Sequence, residues 1–475
     1  MRRILAILGL LITACTSPNY PVDRPSTSVS EEDRNVIAYI DQRLEDEYYW
    51  LDEVIQRSNS FNRMVDWENY LDDALSMLTT NKDDGYINNK GQRVFYSYVR
   101  EANASTRAAE VNGYGIRLYY TIISIGNDRL GLVVDYIYAD SPAALAGIKR
   151  GDIIVTVDGN QIDMNNYARL FNSIQGNTAT ELKLGIFRQV VKEDEAESYA
   201  VELKRAPYHE SPIAMCDILD IDNYRIGYLA YTQFVSAYDK ELLAALEELS
   251  AKDIDHFILD LRSNGGGAVN SATQLVSAIL GGSYDGKLLC ELRRNPLNKK
   301  DNTNSMCYLD DLGFGINPES ITIICSENTA SASELVITGL QGLDVPVTLI
   351  GSTTEGKNCG MDVTRRSIGD KYIEFAPITF MCYNAKGFGA YGDGIAPDVD
   401  VASENVWECS DEYYPLPRCD WGDIDGDVAL EMALSFIVKC EPEYASATRS
   451  ELSLSIEPKT YIERPFIGAT LDCEE

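Results

Sequence analysis

The strongest constraint on the fold is an alternation of strand-like and helix-like segments from about Ala206 to Cys440, in which three strands are followed by turns rich in glycine or serine. Short apolar runs predict buried strands, and apolar residues three or four positions apart predict the helices between them. Because this alternation is typical of an α/β core, we predict an α/β domain here. The predicted strands are Ile226–Thr232, His256–Leu261, Ile321–Cys325 and Val345–Ile350, and the predicted helices are Lys240–Leu249, Ser271–Leu280 and one beginning at Ser333.

The rest of the 475-residue chain has room for about two further domains. Residues 31–105 carry apolar positions at helical spacing, which predicts a small helical domain whose aromatic side chains form its core. Residues 111–205 combine strands, such as Leu130–Ile137 and Glu181–Arg188, with short helices. We therefore expect a mixed α+β multidomain protein, with the α/β domain over residues 206–440 and a C-terminal tail over residues 441–475.

The N-terminus has the features of an export signal over residues 1–14. Two arginines precede an apolar run, and a small residue precedes Cys15. The segment Leu11–Cys15 resembles a bacterial lipobox, which implies that Cys15 is lipidated and that the chain is anchored in the cell envelope, facing either the periplasm or the surface. Residues 15–30 are expected to be a tether. An ordinary secretory signal with an incidental cysteine is the alternative.

The charge balance disfavours two kinds of partner, nucleic acids and anionic membranes. The chain has 74 acidic and 41 basic residues, a formal net charge of -33. Nucleic acids and anionic membranes are contacted mainly by lysine and arginine, so the acidic excess argues against both. Only two histidines are present, His209 and His256, which disfavours most histidine chemistry.

Ten cysteines remain beyond Cys15. An even number in an oxidising compartment permits disulfides, although the sequence does not fix the pairing. The close pairs Cys290/Cys307 and Cys409/Cys419 are the favoured local bridges. There is no Cys-x-x-Cys spacing and no Cys/His cluster, so no zinc site is expected.

Two of the three turns are suited to a developing negative charge. Asp260–Gly267 leads from a strand into three glycines, whose N–H groups can point outward unobstructed by side chains. Thr329–Glu334 places Ser331 at a helix N-terminus, where the helix dipole stabilises negative charge. Each turn also has a purely structural interpretation: a tight connection for the first, and a capping box of Ser331 with Glu334 for the second.

The third turn, Gly351–Asn358, nearly matches the phosphate-binding motif Gly-x4-Gly-Lys-Ser/Thr. The match fails at Asn358, where the motif needs a hydroxyl for magnesium, and no helix is predicted to follow. We interpret the similarity as coincidental, which leaves a nucleotide hydrolase as a weak alternative.

A nucleophilic serine needs a base, and the two histidines are poor candidates. His256 lies in an apolar strand, and His209 lies in the linker after Arg205. A lysine whose pKa is lowered by burial can serve instead, in a Ser–Lys dyad. The chain has no Gly-x-Ser-x-Gly motif, which disfavours the α/β-hydrolase arrangement.

Together these segments resemble the carboxy-terminal processing peptidases, a family of serine peptidases also called tail-specific proteases. The resemblance implies a ClpP/crotonase-like α/β core without cofactor or metal, with Ser331 as nucleophile and Lys357 as base. The backbone N–H groups of Gly266 and Ala332 are then expected to hold the oxyanion. The matching segments are Asp260–Gly267 (family pattern Asp-Leu-Arg-x-Asn-x-Gly-Gly), Thr329–Glu334 (Ser-Ala-Ser-Ala-Ser-Glu), Glu355–Lys357 (the lysine segment) and Gly394–Asp398 (Gly-x-x-Pro-Asp).

Residues 111–205 resemble a PDZ domain. Gly113, Tyr114, Gly115 and Ile116 match the loop whose backbone N–H groups hold a peptide's terminal carboxylate. The resemblance implies polypeptide partners that bind through their C-termini as an added strand. A PDZ domain that only packs against the catalytic domain is the alternative.

The lysine segment departs from the family pattern. Met361 stands where many members have glutamine, and Asn358 and Cys359 replace small residues, so that a disulfide to Cys359 would pin the lysine loop. The expected function is hydrolysis of peptide bonds in an exported compartment, with the membrane contacted only through the lipid anchor. A catalytically inert lipoprotein that binds peptides is the alternative from another class.

Overall fold

The computed structural model describes residues 29–88, 91–102, 111–125, 129–176, 179–189, 196–401, 419–424, 426–439, 457–461 and 469–472. Cys15, the export signal, nearly all of the tether and Cys409 lie outside these residues. Within the described ranges, no helix combines the length and apolar character needed to cross a membrane.

The N-terminal region contains short strands as well as the predicted helices. The first helix begins after Ser30, whose hydroxyl accepts a hydrogen bond from the backbone N–H of Asp33 at 2.9 Å. The strands contain too few residues to show a periodic pattern, so they were not predicted from the sequence. The elements are α1 Glu31–Glu47, α2 Leu51–Arg57, α3 Trp67–Ser76, β1 Tyr86–Ile87, β2 Arg93–Val94 and β3 Tyr98–Glu101.

The second region is a compact sheet with two helices. Its strands follow the order β10-β9-β7-β6-β5, and β8 pairs with β7. The predicted strand Leu130–Ile137 is confirmed to the residue, and the expected short helices are present. The elements are β4 Val111–Gly113, β5 Ile116–Ser124, β6 Leu130–Ile137, α4 Pro142–Leu145, β7 Ile153–Val157, β8 Asn160–Gln161, α5 Tyr167–Gln175, β9 Glu181–Gln189 and β10 Ala196–Lys204.

The third region contains the predicted α/β core. Its first sheet has the order β12-β13-β14-β17-β18-β22, and the strands from β13 to β22 are parallel. Helices α6, α7 and α8 belong to the main hydrophobic core, and α9 belongs to a separate core cluster. The elements are β11 Ala206–Tyr208, β12 Ile213–Ile221, β13 Tyr224–Tyr231, α6 Asp239–Ser250, β14 His256–Asp260, α7 Val269–Leu280, β15 Leu288–Arg294, β16 Ser305–Tyr308, β17 Ser320–Cys325, α8 Ala332–Gly342, β18 Val347–Gly351, β19 Cys359–Ile368, β20 Lys371–Ala376, β21 Ile378–Asn384, β22 Val399–Asp400 and α9 Val428–Lys439.

A second sheet, which the sequence did not predict, joins the N-terminal region to the α/β region. It has the order β16-β15-β21-β19-β20-β3, so that a strand of the N-terminal region forms one edge. Val99 of β3 pairs with Phe375 of β20. Apolar side chains of β19 and β20 share one buried core with α1 and α3. The N-terminal region is therefore built into the α/β region.

The C-terminal tail contributes two strands to these sheets. Strand β23 (Glu457–Tyr461) pairs antiparallel with β5, and β24 (Ala469–Asp472) pairs parallel with β19. Neither strand was predicted from the sequence.

Candidate active site

The three turns singled out in the sequence meet at one edge of the parallel sheet. They follow β14, β17 and β18, which are neighbours, so their carboxyl ends lie side by side. The backbone N–H of Ala330 donates to the carbonyl of Asn264 at 3.2 Å, which joins the first two turns. The N–H of Glu355 donates to the carbonyl of Thr329 at 3.0 Å, which joins the second turn to the third.

Ser331 stands immediately before helix α8 and is almost fully buried, with 2% of its surface exposed. Its φ of 59° and ψ of -110° form a combination that residues with a side chain rarely adopt. Such strain costs on the order of 1–3 kcal/mol and concentrates at functional sites. The capping interaction with Glu334 is present, because the Ser331 N–H donates to Glu334 Oε2 at 2.7 Å. The capping and the catalytic interpretations of Ser331 are therefore compatible.

The buried carboxylate of Glu334 connects the serine turn to the lysine turn. Its Oε2 accepts the N–H of Ser331 and, at 2.8 Å, the N–H of Lys357. Its Oε1 accepts the N–H of Gly356 at 2.7 Å and the hydroxyl of Thr354 at 2.6 Å. Burial raises the pKa of Glu334 to about 7, and these hydrogen bonds act in the opposite direction.

This arrangement explains the similarity of Gly351–Asn358 to a phosphate-binding loop. The loop does surround an anion, but the anion is a carboxylate of the same chain. From the sequence Glu334 is recognisable only as a helix cap, because nothing in the spacing reveals hydrogen bonds to a loop that lies beyond the rest of helix α8 and strand β18.

Lys357 lies in an environment that disfavours its charge. Only 1% of its surface is exposed, and burial lowers the pKa of its amine to about 8, while nearby thiol and carboxyl groups, Cys359 foremost, oppose this shift. Its Nζ lies 4.7 Å from the ring centroid of Tyr96. The hydroxyl of Tyr96 donates to Glu355 Oε1 at 3.3 Å. The geometry gives the chain a buried amine of the kind that a base requires.

The N-terminal region supplies part of this environment, which the sequence analysis missed. The carboxylate of Asp84 accepts hydrogen bonds from the Tyr48 hydroxyl at 2.7 Å and from the backbone N–H groups of Tyr96 and Ser97 at 3.0 and 2.8 Å. Asp84 and Lys357 also interact electrostatically. Tyr96 lies in the hydrophobic core, as expected for the aromatic residues of this region, and its ring also lies over the amine of Lys357.

Gly266 and Ala332, the predicted oxyanion donors, lie close together beside Ser331. A Cβ atom added to Gly266 would lie 2.9 Å from Ser331 Cβ and 3.0 Å from the Ala332 nitrogen. The Gly266 N–H, however, donates to Asn264 Oδ1 at 2.9 Å. To bind an oxyanion, this N–H would have to be shared or released by Asn264. Its role as a donor stays a prediction.

The predicted carboxylate-binding loop lies between β4 and β5. Gly113 ends β4 and Ile116 begins β5. Tyr114 is fully buried, and its hydroxyl donates to the carbonyl of Ala179 at 2.6 Å. Gly115 has a φ of 74°, and a Cβ atom there would lie 2.1 Å from Ser141 Cβ, which explains the glycine.

The second region contacts the α/β region next to the turns of the site. The Tyr119 hydroxyl donates to Glu327 Oε1 at 2.6 Å and accepts a hydrogen bond from Asn328 Nδ2 at 2.9 Å. The Ser263 hydroxyl donates to Asp135 Oδ1 at 2.7 Å, and burial raises the pKa of that carboxyl. The domain therefore touches both the glycine turn and the serine turn.

Neither histidine contributes to this site. His209 is exposed and pairs with Glu241 at 2.6 Å, whereas His256 Nδ1 lies 2.8 Å from the Ser320 hydroxyl. Met361 is fully buried in the core that β19 shares with the N-terminal helices. Within the described ranges, no group of three or more His, Cys, Asp or Glu side chains is arranged to hold a metal ion.

The described cysteines carry free thiols. Cys290 and Cys307, predicted as a local disulfide pair, lie opposite each other on β15 and β16 but form no disulfide. The thiol of Cys359 donates to the carbonyl of Asp83 at 3.4 Å, so the disulfide considered for it is not formed.

Comparisons with known proteins agree with this arrangement. Residues 225–401 match the model of peptidase family S41, and residues 133–186 match that of the PDZ domain. A "Probable CtpA-like serine protease" from Staphylococcus haemolyticus is 27% identical over 268 residues, which cover 56% of this chain and 49% of that protein. A "Carboxy-terminal-processing protease" from Bartonella bacilliformis is 28% identical over 272 residues, which cover 55% of this chain and 56% of that protein.

The alignments thus span about half the length of these curated relatives. The fold agrees with the crystal structure of a Bacteroides fragilis protein assigned to the S41 proteases, with a TM-score of 0.65 and 18% identity over 88% of this chain and all of that one. Residues 225–401 thus form a domain that matches peptidase family S41, residues 133–186 match a PDZ domain, and the chain is similar in both respects to carboxy-terminal processing proteases.

Proposed function

We propose that the protein is a serine endopeptidase in which Ser331 and Lys357 form the catalytic dyad. The observation that carries the proposal is the shared carboxylate of Glu334. One of its oxygens accepts the backbone N–H groups of both residues, which holds the serine and the lysine turns side by side. The lowered pKa of Lys357, at about 8, supports its role as a base.

In the proposed reaction, the neutral amine of Lys357 takes the proton of the Ser331 hydroxyl as the Ser331 oxygen attacks the scissile carbonyl carbon. The resulting oxyanion accepts a hydrogen bond from the N–H of Ala332. The N–H of Gly266 is the second donor, once its bond to Asn264 is shared with the oxyanion. Each such donor stabilises the transition state by about 3 kcal/mol. The lysine ammonium then protonates the leaving amine. Water, activated by the lysine, hydrolyses the acyl-enzyme and restores both groups.

We further propose that substrates are polypeptides whose C-termini bind the PDZ domain as an added strand, with the carboxylate in the loop Gly113–Ile116. The contact of this domain with the serine turn supports such delivery, because Tyr119 bonds to Glu327, four residues before Ser331. The resemblance of residues 11–15 to a lipobox supports an exported protein anchored through Cys15 in a bacterial envelope.

The dyad is tested with Ser331→Ala and Lys357→Met, the latter keeping the volume of the buried side chain. Each should reduce cleavage of an unfolded protein such as casein by about 10³-fold or more, because the nucleophile or its base is removed. Lys240→Met, which changes an exposed lysine of helix α6, is the matched control. Thermal unfolding of all three variants verifies the fold, and cleavage retained by a folded Ser331 or Lys357 variant would refute the dyad.

An inert peptide-binding protein is the second candidate, favoured by the bond of the Gly266 N–H to Asn264. This candidate predicts that a peptide with a free C-terminal carboxylate binds but is not cleaved, even at alkaline pH. It also predicts that Ser331→Ala leaves the affinity for the peptide unchanged. The same cleavage assay therefore separates the two functions.

A further inference from the structure

The C-terminal tail lies along the sheet edge at which a PDZ ligand is expected. Strand β23 pairs with β5 from Glu457 opposite Ser124 to Tyr461 opposite Thr121. Strand β5 begins in the predicted carboxylate-binding loop, at Ile116, and its other side is already paired with β6. Its remaining side is the position of an added ligand strand.

The tail also runs in the direction of a ligand. A peptide whose terminal carboxylate sits near Ile116 lies antiparallel to β5, and its later residues lie closer to the loop. Strand β23 is antiparallel to β5, and Tyr461 lies closer to Ile116 along β5 than Glu457 does. The tail pairs with Thr121–Ser124, at the end of β5 away from the loop. Because the N–H and carbonyl groups of one strand edge pair with a single neighbouring strand, the tail excludes a ligand strand that extends from Ile116 as far as Thr121.

A second strand fixes the same tail to the catalytic domain. Strand β24 pairs parallel with β19, from Ala469 opposite Gly360 to Asp472 opposite Val363. This stretch of β19 comes shortly after Lys357 in the chain. Because the tail is held at two places and covalently attached, its effective concentration at β5 is of the order of millimolar, as for a short linker.

We infer that the edge of strand β5 opposite β6 is a docking surface for this chain's own residues 457–461, and that these residues compete there with the C-termini of substrates. The inference rests on the proposed role of the PDZ domain in binding peptides. A substrate C-terminus must displace the tail before it can pair with β5. The tail therefore lowers the apparent affinity of the PDZ domain for substrate C-termini.

The test uses the full chain with Thr460→Pro and Tyr461→Pro together. Neighbouring residues of a strand direct their N–H groups to opposite sides, so one of the two prolines removes a bond to β5 whichever residue faces it. The matched control places two prolines outside both tail strands, as Ala447→Pro with Thr448→Pro. All chains also carry Ser331→Ala, so that the probe is not cleaved.

The probe is a fluorescent synthetic peptide with the sequence of residues 452–461 and a free terminal carboxylate. The double-proline variant should bind it about tenfold more tightly than the parent chain and the control, because the competing segment is weakened. Equal affinity in all three chains would overturn the inference. So would a variant that unfolds at a lower temperature without any gain in affinity, because the tail would then be only a structural element.

This binding experiment is independent of turnover. If the protein with Ser331 intact fails to cleave casein, the proposed peptidase function fails while the docking of the tail is still decided by the probe. If cleavage occurs but the probe binds all three chains equally, the docking fails and the peptidase function stands.

Discussion

Ser331 has a strained backbone conformation that hydrogen bonds hold in place. Its left-handed φ of 59° would not persist unless the surroundings imposed it. The Ser331 N–H is held by Glu334, and the N–H of Leu335 donates to the Ser331 carbonyl at 2.8 Å. One helix cap thus fixes the conformation of the proposed nucleophile and, through the other contacts of Glu334, the backbone of Lys357.

The pH dependence of activity should reflect Lys357. Its pKa is about 8, so the neutral, active form increases about tenfold per pH unit below that value and levels off above it. We expect kcat for casein cleavage to rise from pH 6 and reach a plateau above about pH 8. A profile that is flat between pH 6 and 9 would contradict a lysine base.

The lowered pKa of Lys357 also makes the free energy of unfolding depend on pH. The pKa of Lys357 is about 8 in the folded protein, below its ordinary value of 10.5, so between pH 8 and pH 10.5 the unfolded chain binds more protons. The free energy cost of burying this lysine is therefore fully present below about pH 8 and is relieved as the pH rises toward 10.5. Comparison with Lys357→Met by chemical unfolding isolates this contribution.

Gly266 and Gly265 offer a matched pair of substitutions. At Gly266 the φ is 106°, and a Cβ atom would lie 2.9 Å from the carbonyl oxygen of Ala330, whereas a Cβ atom at Gly265 would meet nothing within 4 Å. Gly266→Ala should destabilise the protein by about 1–3 kcal/mol and lower kcat by about 10²-fold, because the serine turn must shift. Gly265→Ala should change both quantities little. Urea unfolding and casein cleavage measure the two effects, and equal losses at both positions would argue against the close packing at Gly266.

At the scale of the elements, the strands formed by continuous apolar runs were predicted from the sequence, and the second sheet was not. Strands β14 and β17 are buried along their whole length or nearly so, which produces continuous apolar runs. Strand β19 changes from buried to exposed along its length, and β16 is short and half exposed. Such segments lack a single period, so their assignment depends on their partners.

The facing cysteines of β15 and β16 lead to a prediction about oxidation. Cys290 is opposite Cys307, and a hydrogen bond between their thiols lowers the pKa of Cys307 while that of Cys290 is raised. With oxidised glutathione, the Cys307 thiolate should attack the glutathione disulfide, and Cys290 should then displace glutathione to form a Cys290–Cys307 bond. Closing the loop between Cys290 and Cys307 should raise the free energy of unfolding by about 3 kcal/mol.

Peptide mapping by mass spectrometry under non-reducing conditions would detect the bond. Cys290→Ser should stop the reaction at a mixed disulfide of Cys307 with glutathione, while Cys216→Ser should leave the bond intact. A mixed disulfide in the unmodified chain would show that the two thiols cannot reach bonding geometry.

At the scale of the whole molecule, hydrogen bonds connect the PDZ domain to the turns of the candidate site. The buried Tyr119 bonds to Glu327 and Asn328, which precede Ser331 in the same turn. This contact couples the position of the PDZ domain to the segment that carries the proposed nucleophile.

Tyr119→Phe tests that coupling. Loss of a hydrogen bond to a carboxylate costs about 1.5–3 kcal/mol, so amide hydrogen exchange in residues 326–331 should accelerate by about tenfold or more. Tyr199→Phe is the matched control, because the Tyr199 hydroxyl donates to Asp152 at 2.8 Å within the PDZ domain. If both variants accelerate exchange in residues 326–331 equally, the contact of Tyr119 does not hold this turn.

The sequence by itself determined the α/β core, the PDZ domain and the candidate pair Ser331 and Lys357, because apolar periodicity and short motifs are local properties of the chain. The tertiary structure alone decided that Glu334 joins the two turns, that Tyr96 lies over the lysine, and that the tail adds a strand to the PDZ edge. These contacts join segments far apart in sequence, and their energies depend on burial and on hydrogen-bond partners that exist only in the folded chain.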